Sequence, residues 1–179
     1  RRQKMHLRIA TREDIPAIEA LMAASMAALL PKFLDQKQVE RSSETMGVDT
    51  LLVDDGTYFL VYIGDALAGC GGWSRRRTLY GGNHTTGRDD ALADPATEPA
   101  KIRAMYTHPD FTRRGIGRFL LEAGENAART EGFKTMEMGS TAPGRPLYEA
   151  CGYELIEDLS QPSEDGTIVP ILRMRKILV

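Results

Sequence analysis

Two cysteines in 179 residues, Cys70 and Cys151, are too few for a disulfide framework or a four-cysteine zinc site. The three histidines, His6, His84 and His108, fall at no metal-ligand spacing, so no metal centre is expected. Neither sign of charge is in excess. Lys and Arg number 23, Asp and Glu 25, and the formal net charge of −2 gives no global basic field for a nucleic acid. No apolar run approaches the roughly 20 residues that a membrane helix needs, and no secretory apolar segment follows the N-terminus. These absences predict a soluble, reduced, cytoplasmic protein with neither a membrane nor a nucleic-acid partner. What remains is ordinary globular usage, 42% hydrophobic and 27% charged, on a chain long enough for a core of its own. A single domain is expected over 5–179, with Arg1 to Lys4 as a basic tail or added remnant ahead of Met5.

Hydrophobic periodicity orders the elements. His6 to Ala10 reads as an opening strand. Thr11 caps a helix with Glu13 and Asp14 in its first turn and Ile15, Ile18, Leu21, Met22 and Leu29 at helical spacing, ended by Pro31. A more polar helix is expected from Leu34 to about Thr45. Tyr58–Ile63 and Ala66–Trp73 form a hairpin about Gly64-Asp65, in which Gly69, Gly71 and Gly72 mark a bulge or a close approach. From 75 to about 100 the chain reads as one long loop with balanced charges. Its Arg75-Arg76-Arg77 run is either a phosphate contact or, as the commoner use, a solvated surface. A strand at 101–107 is broken by His108-Pro109-Asp110. Gly115 to Glu131 carries one apolar stripe and is the clearest helix, closed by Gly132. A strand at 133–139, a short helix through Leu147 and Tyr148, and strands at 153–158 and 168–177 complete the chain.

The chemistry is concentrated in Met105-Tyr-Thr-His-Pro-Asp-Phe-Thr-Arg-Arg-Gly-Ile-Gly-Arg118, where a strand runs through a basic, glycine-containing turn into a strong helix. The first amides of a helix lack intrahelical partners and its dipole places positive charge there. Gly115 and Gly117 are expected to let a bulky anion reach the backbone. Between Lys101 and Arg118 the net charge is +4. A compact phosphate is the ligand this arrangement suits. A dinucleotide fingerprint fails because Leu120 stands where a third glycine is needed, and the Gly-Lys-Ser/Thr of a P-loop is absent.

This segment resembles motif A of the GNAT superfamily, the acyl-CoA-dependent N-acyltransferases. Pro146-Leu-Tyr-Glu-Ala-Cys-Gly-Tyr-Glu154 resembles the family's Leu-Tyr-Glu-x-x-Gly-Phe segment, and Thr11-Arg-Glu-Asp14 its usual N-terminus. The resemblance covers most of the chain outside the 75–100 loop. It implies an α/β (α+β) fold: a mixed, mainly antiparallel sheet of six to seven strands, with helices on both faces and splayed central strands. It implies acetyl-CoA as cosubstrate and a primary amine of a small molecule or peptide as acceptor, with direct attack in a ternary complex. Backbone amides from Thr112 and Arg113 through Arg114, Gly115, Ile116, Gly117 and Arg118 would then hold the CoA pyrophosphate. Met105, Tyr106 and Thr107 would pair with the pantetheine arm as an added strand. The Met105 amide would polarise the acetyl carbonyl. Tyr148 would protonate the departing thiolate, as a phenol of pKa about 10 can toward a thiol of about 8.5.

The chain departs from the family at three points. Thr112 stands for Gln or Arg, Thr141 for the asparagine seven residues before the tyrosine, and Lys101 for the glutamate base of the histone-type members, with Arg103 and Tyr106 as the other outward candidates on that strand. The base is thus open among Glu98, His84, a water chain, or an amine that arrives neutral. Cys151 is expected in the core, not as a nucleophile. A non-catalytic acyl-CoA sensor and a binder of another nucleotide diphosphate are the alternatives. Longer acyl groups and a homodimer are left open. The first two helices and the 75–100 loop are expected to shape the acceptor site.

Overall fold

The computed structural model describes residues 4–179, so most of the expected N-terminal tail, residues 1–3, lies outside it. The strands are β1 (Met5–Ile9), β2 (Tyr58–Ile63), β3 (Ala66–Ser74), β4 (Ala100–Thr107), β5 (Thr135–Ser140), β6 (Glu154–Asp158) and β7 (Leu172–Ile177). The helices are α1 (Ile15–Leu29), α2 (Gln36–Ser42), α3 (Thr50–Asp54), α4 (Ile116–Thr130) and α5 (Arg145–Ala150). One seven-stranded sheet runs β1-β2-β3-β4-β5-β7-β6, antiparallel throughout except for the β4–β5 pair. The mixed, mainly antiparallel sheet with helices on both faces is as the resemblance implied.

Alternation on the strands sorts the two faces. Ile116, Leu120 and Leu121 of α4 bury their stripe against Val61, Trp73, Ile102, Met136 and Met138, with Trp73 edge-on to Phe133 at 6.1 Å. On the other face Ile18, Leu21 and Met22 of α1 meet Tyr58, Leu60, Cys70 and Tyr106. The β3 glycines are explained by close approach, and a side chain at any of them would collide. A Cβ on Gly69 would lie 2.5 Å from Ile116 Cγ2, on Gly71 2.3 Å from Met105 Sδ, and on Gly72 2.1 Å from the Thr57 carbonyl.

The structure differs from the sequence expectations in several places. The second helix is shorter than Leu34–Thr45 because Asp35 caps it, accepting from the Gln38 amide at 2.9 Å, and it ends at Ser42. Helix α3 was not anticipated; at five residues it shows no periodicity, and its signal is the Asp49 cap on the Leu51 amide. The last strand starts at Leu172, because residues near Ile168 make only an isolated bridge to Pro162. Counting its flanking 3-10 turns, the first helical run is Arg12–Lys32, 21 residues with an 18-residue stretch of mean hydropathy 1.3, which is long and apolar enough to cross a membrane by length and composition. That corrects the expectation that no run approached this length. Here its buried stripe is explained by packing on β2 and β4. The 75–99 segment is a built loop. Arg75 pairs with Glu131 (2.7 Å), Arg76 with Asp55 (2.8 Å) and Arg77 with Glu98 (2.8 Å), so the triple arginine is neither a phosphate contact nor simply solvated.

Candidate active site

The sheet opens at its centre. Strands β4 and β5 pair only at Ala100 with Met136 and Lys101 with Glu137, then part. On its other side β4 stays with β3, but the register shifts between Cys70 and Gly72. At that bulge Ala104 takes φ 52°, a left-handed conformation uncommon for a residue with a side chain. The buried Tyr58 hydroxyl donates to the Ala104 carbonyl at 2.7 Å. A trans peptide sets the next N–H opposite to that carbonyl, so the Met105 amide turns away from Tyr58. Met105 lies outside the β3 register and lines the gap.

The gap leads to the turn before α4. Arg113 (φ 60°) and Gly115 (φ 81°) are both left-handed, which curls successive amides to one side. No acceptor among the described residues meets the amides of Arg113 to Arg118. The first to bond back is Phe119, to the Gly115 carbonyl at 3.0 Å. The side chains agree: every described arginine has a carboxylate within 4.0 Å except Arg113, Arg114 and Arg118. Arg114 lies over the Phe111 ring at 5.3 Å. Thr112 is exposed and extended just before the turn, while the Ile116 side chain is buried and offers only its amide. The two glycines divide the work differently from expectation. A Cβ on Gly115 would meet nothing within 4 Å, so the residue serves its positive φ. A Cβ on Gly117 would lie 2.3 Å from Leu147 Cδ2, so that glycine admits α5, while its amide stays in the bare run.

Helix α5 starts with Pro146 in its first turn and carries Tyr148 inward. Gly144 makes room for it, since a Cβ there would stand 2.6 Å from Tyr148 Cε2. The ring is 8% exposed and packs edge-on against Tyr153 at 6.3 Å. No hydrogen bond from a described residue reaches its hydroxyl, and burial pushes the phenol above its ordinary pKa. Tyr148 therefore holds its proton at neutral pH beside an open gap.

Two adjoining cavities share Met46, Met105, Tyr106, Thr141 and Tyr148 as walls. One continues past Thr107, Gly117 and Leu147 toward the bare turn. The other runs under Leu79, Tyr80 and Gly81 of the long loop and Thr45 to Gly47 after α2, over Arg103 and Ile171. The structure thus brings together Met105, Tyr106, Thr107, Gly117, Thr141 and Tyr148, with the arginine turn at the far end. It does not bring Glu98 there. That carboxylate accepts from Arg77 and from the Asp94 amide (2.6 Å) ahead of β4, which holds it below the usual carboxylate range. His84 is tied through Nε2 to the Ser43 carbonyl at 2.7 Å. His108 accepts from the Asp110 amide and is a turn residue, as expected. No Asp or Glu lines either cavity.

Sequence reasoning missed Tyr80, which lies against Gly139 of β5, and misjudged Arg103 and Tyr106, which are buried, not outward. Arg103 donates through Nη2 to Asp49 Oδ2 (2.9 Å) and to the Gly81 carbonyl (2.7 Å). Asp49 lies 54 residues away and no spacing could announce it.

Comparison with known proteins follows the same lines. A family model described as the acetyltransferase (GNAT) family matches residues 21–153. The N-acetyltransferase YsnE of Bacillus subtilis is 27% identical over 133 residues, 72% of this chain and 76% of that protein. A GCN5-related N-acetyltransferase from Rhodopseudomonas palustris shares the fold at TM-score 0.70 and 16% identity, covering 99% of this chain and 98% of its own. YncA of Salmonella typhimurium, solved with acetyl-CoA, does so at 0.64 and 17%, covering 98% and 95%.

Proposed function

The chain belongs to the GNAT acetyltransferase family and is an acyltransferase, and on that premise we propose that it moves an acetyl group from acetyl-CoA to a primary amine of a small molecule or peptide, by direct attack while both are bound. The observation that carries this reading is the run of bare amides from Arg113 to Arg118. The three arginines that alone among the described arginines lack a carboxylate partner stand on that run, at the mouth of the gap between β4 and β5. Such a turn suits a pyrophosphate, and the unpaired half of β4 suits an extended arm one strand wide. The solved relative YncA holds acetyl-CoA, which accords with that fit.

The cosubstrate supplies an acetyl thioester; the chain supplies its placement and its protons. Arg113, Arg114 and Arg118 neutralise phosphate charge. Met105 directs its amide at the carbonyl oxygen, where negative charge gathers as the amine attacks. Tyr148 gives its proton to the sulfur as the carbon–sulfur bond breaks; from a phenol of pKa about 10 or more to a thiolate of conjugate pKa about 8.5 that transfer is uphill by itself, and it is drawn forward by the bond cleavage and amide formation it accompanies. No carboxylate lines the cavities, so the amine loses its proton to water or enters neutral.

Calorimetric titration with acetyl-CoA and CoA, followed by thiol release over a panel of amines, tests the proposal. Saturable binding with amine-dependent release is expected, and no saturable binding overturns it. Binding without release for any amine, and no effect of Tyr148→Phe, would leave a non-catalytic acyl-CoA binder.

A further inference from the structure

We infer that the acceptor is an apolar amino acid: a primary amine that brings its own carboxylate to Arg103 and lays an apolar side chain along the cavity beside Tyr80. This rests on the acetyl-transfer reading above and names its substrate class.

Arg103 is the only charged residue on the walls of that cavity. Its side chain is 2% exposed, and a guanidinium so deeply buried has its five donors accounted for in most structures. Here the Nε–H is buried without any partner, and Nη1 reaches only the Thr78 carbonyl at 3.5 Å. Its anion, Asp49 Oδ2, lies 2.9 Å from both Arg103 Nη2 and Arg88 Nη2, and Arg88 also pairs with Asp90 at 2.9 Å. The charges thus balance, and what stays open is donors: the Nε–H and the long Nη1 contact are what an incoming carboxylate can take up.

The rest of the cavity excludes the rival amines. With no Asp or Glu on its walls, it offers no partner to the extra ammonium of a polyamine, a lysine-rich peptide or an aminosugar. Met46, Leu79, Met138 and Ile171 supply apolar surface instead. Placement fits as well. Arg103 and Met105 flank the Ala104 bulge on β4 and both line this cavity, so an amine presented to the carbonyl polarised by Met105 carries its carboxylate into the space beside Arg103.

The test compares matched pairs on the wild-type protein: leucine with isoamylamine and leucinamide, methionine with 3-(methylthio)propylamine, and phenylalanine with phenethylamine, read as kcat/KM for CoA release. The amino acids are expected to exceed their carboxylate-free partners by about 10- to 100-fold, the scale of one hydrogen bond to a buried charge. Arg103→Lys is expected to narrow that ratio while the affinity for CoA holds. If this variant does not fold, the substrate pairs decide alone. Equal or better turnover of the carboxylate-free amines, or a preference for spermidine, overturns the inference while leaving acetyl transfer intact. Absence of acetyl-CoA binding sinks both.

Discussion

Replacing Tyr148 by Phe removes one oxygen and, on the geometry, nothing that holds the fold. The ring would keep its edge-on contact with Tyr153 and its place against Gly144. The lost hydroxyl receives no hydrogen bond from a described residue and gives none, so its removal orphans no partner. Stability should stay within about 0.5 kcal/mol of the parent, a shift in Tm of roughly 2 °C at this chain length. Turnover should not survive so well. Losing a positioned general acid costs about 10²- to 10⁴-fold in kcat, and the affinity for CoA, which the proposal assigns to the arginine turn, should hold. The pH profile supplies a further check. Burial raises the Tyr148 pKa above its ordinary value near 10, so the acid form persists throughout the neutral and mildly alkaline range. The parent rate should therefore rise as the amine deprotonates and then level off, with no alkaline fall below about pH 10. Thermal melting, calorimetry with CoA and thiol release would be measured on the same preparation. Undiminished kcat in Tyr148→Phe would refute the proton-donor role; a fall in kcat matched by a large drop in Tm would refute the claim that the hydroxyl is free.

Arg113→Ala and Arg118→Ala should each weaken CoA binding about tenfold and flatten its salt dependence, with melting unchanged because neither side chain has a carboxylate partner; calorimetry at two ionic strengths reads this. Asp49→Ala leaves two buried or half-buried guanidinium groups facing one another and should cost about 3–5 kcal/mol, roughly 10 °C in Tm by calorimetric melting. Asp14, hydrogen-bonded by Arg8, has its carboxyl lowered to about 2. Its contribution is complete above the ordinary carboxylate range and fades as pH falls toward 2, so the Tm gap between parent and Asp14→Asn should shrink from pH 5 to pH 2.

The legible parts of this molecule are those whose signal is local. Helix α4 announces itself by its stripe, the bare turn by Gly115 and its arginines, and Tyr148 by the segment around it. The illegible parts depend on partners far along the chain. Strand alternation placed Arg103 outward, yet loop 75–99 and Asp49 close over that face of the sheet and bury it. Glu98 was nearest in sequence to the central strand and was still claimed by Arg77. That Gly117 also makes room for α5 was hidden because its neighbour there, Leu147, is 30 positions downstream. The bulge that turns Met105 depends on Ala104, a residue with no propensity for positive φ, held by a hydroxyl from β2.

An open sheet ordinarily has two edges. This one has four, because the parting of β4 from β5 after two residue pairs exposes a further half-edge on each. Free edges invite strands, and most proteins blunt them with charge, proline or a covering loop. Here the two inner edges face each other across a slot, so a second sheet cannot dock and a single extended chain can. On the function proposed above, the reactant that fills the slot serves as the missing strand for the unpaired part of β4, and each turnover removes it. Stability then tracks supply: at 100 times its Kd such a ligand adds about 2.7 kcal/mol, which makes the melting temperature a gauge of the free cosubstrate around the protein.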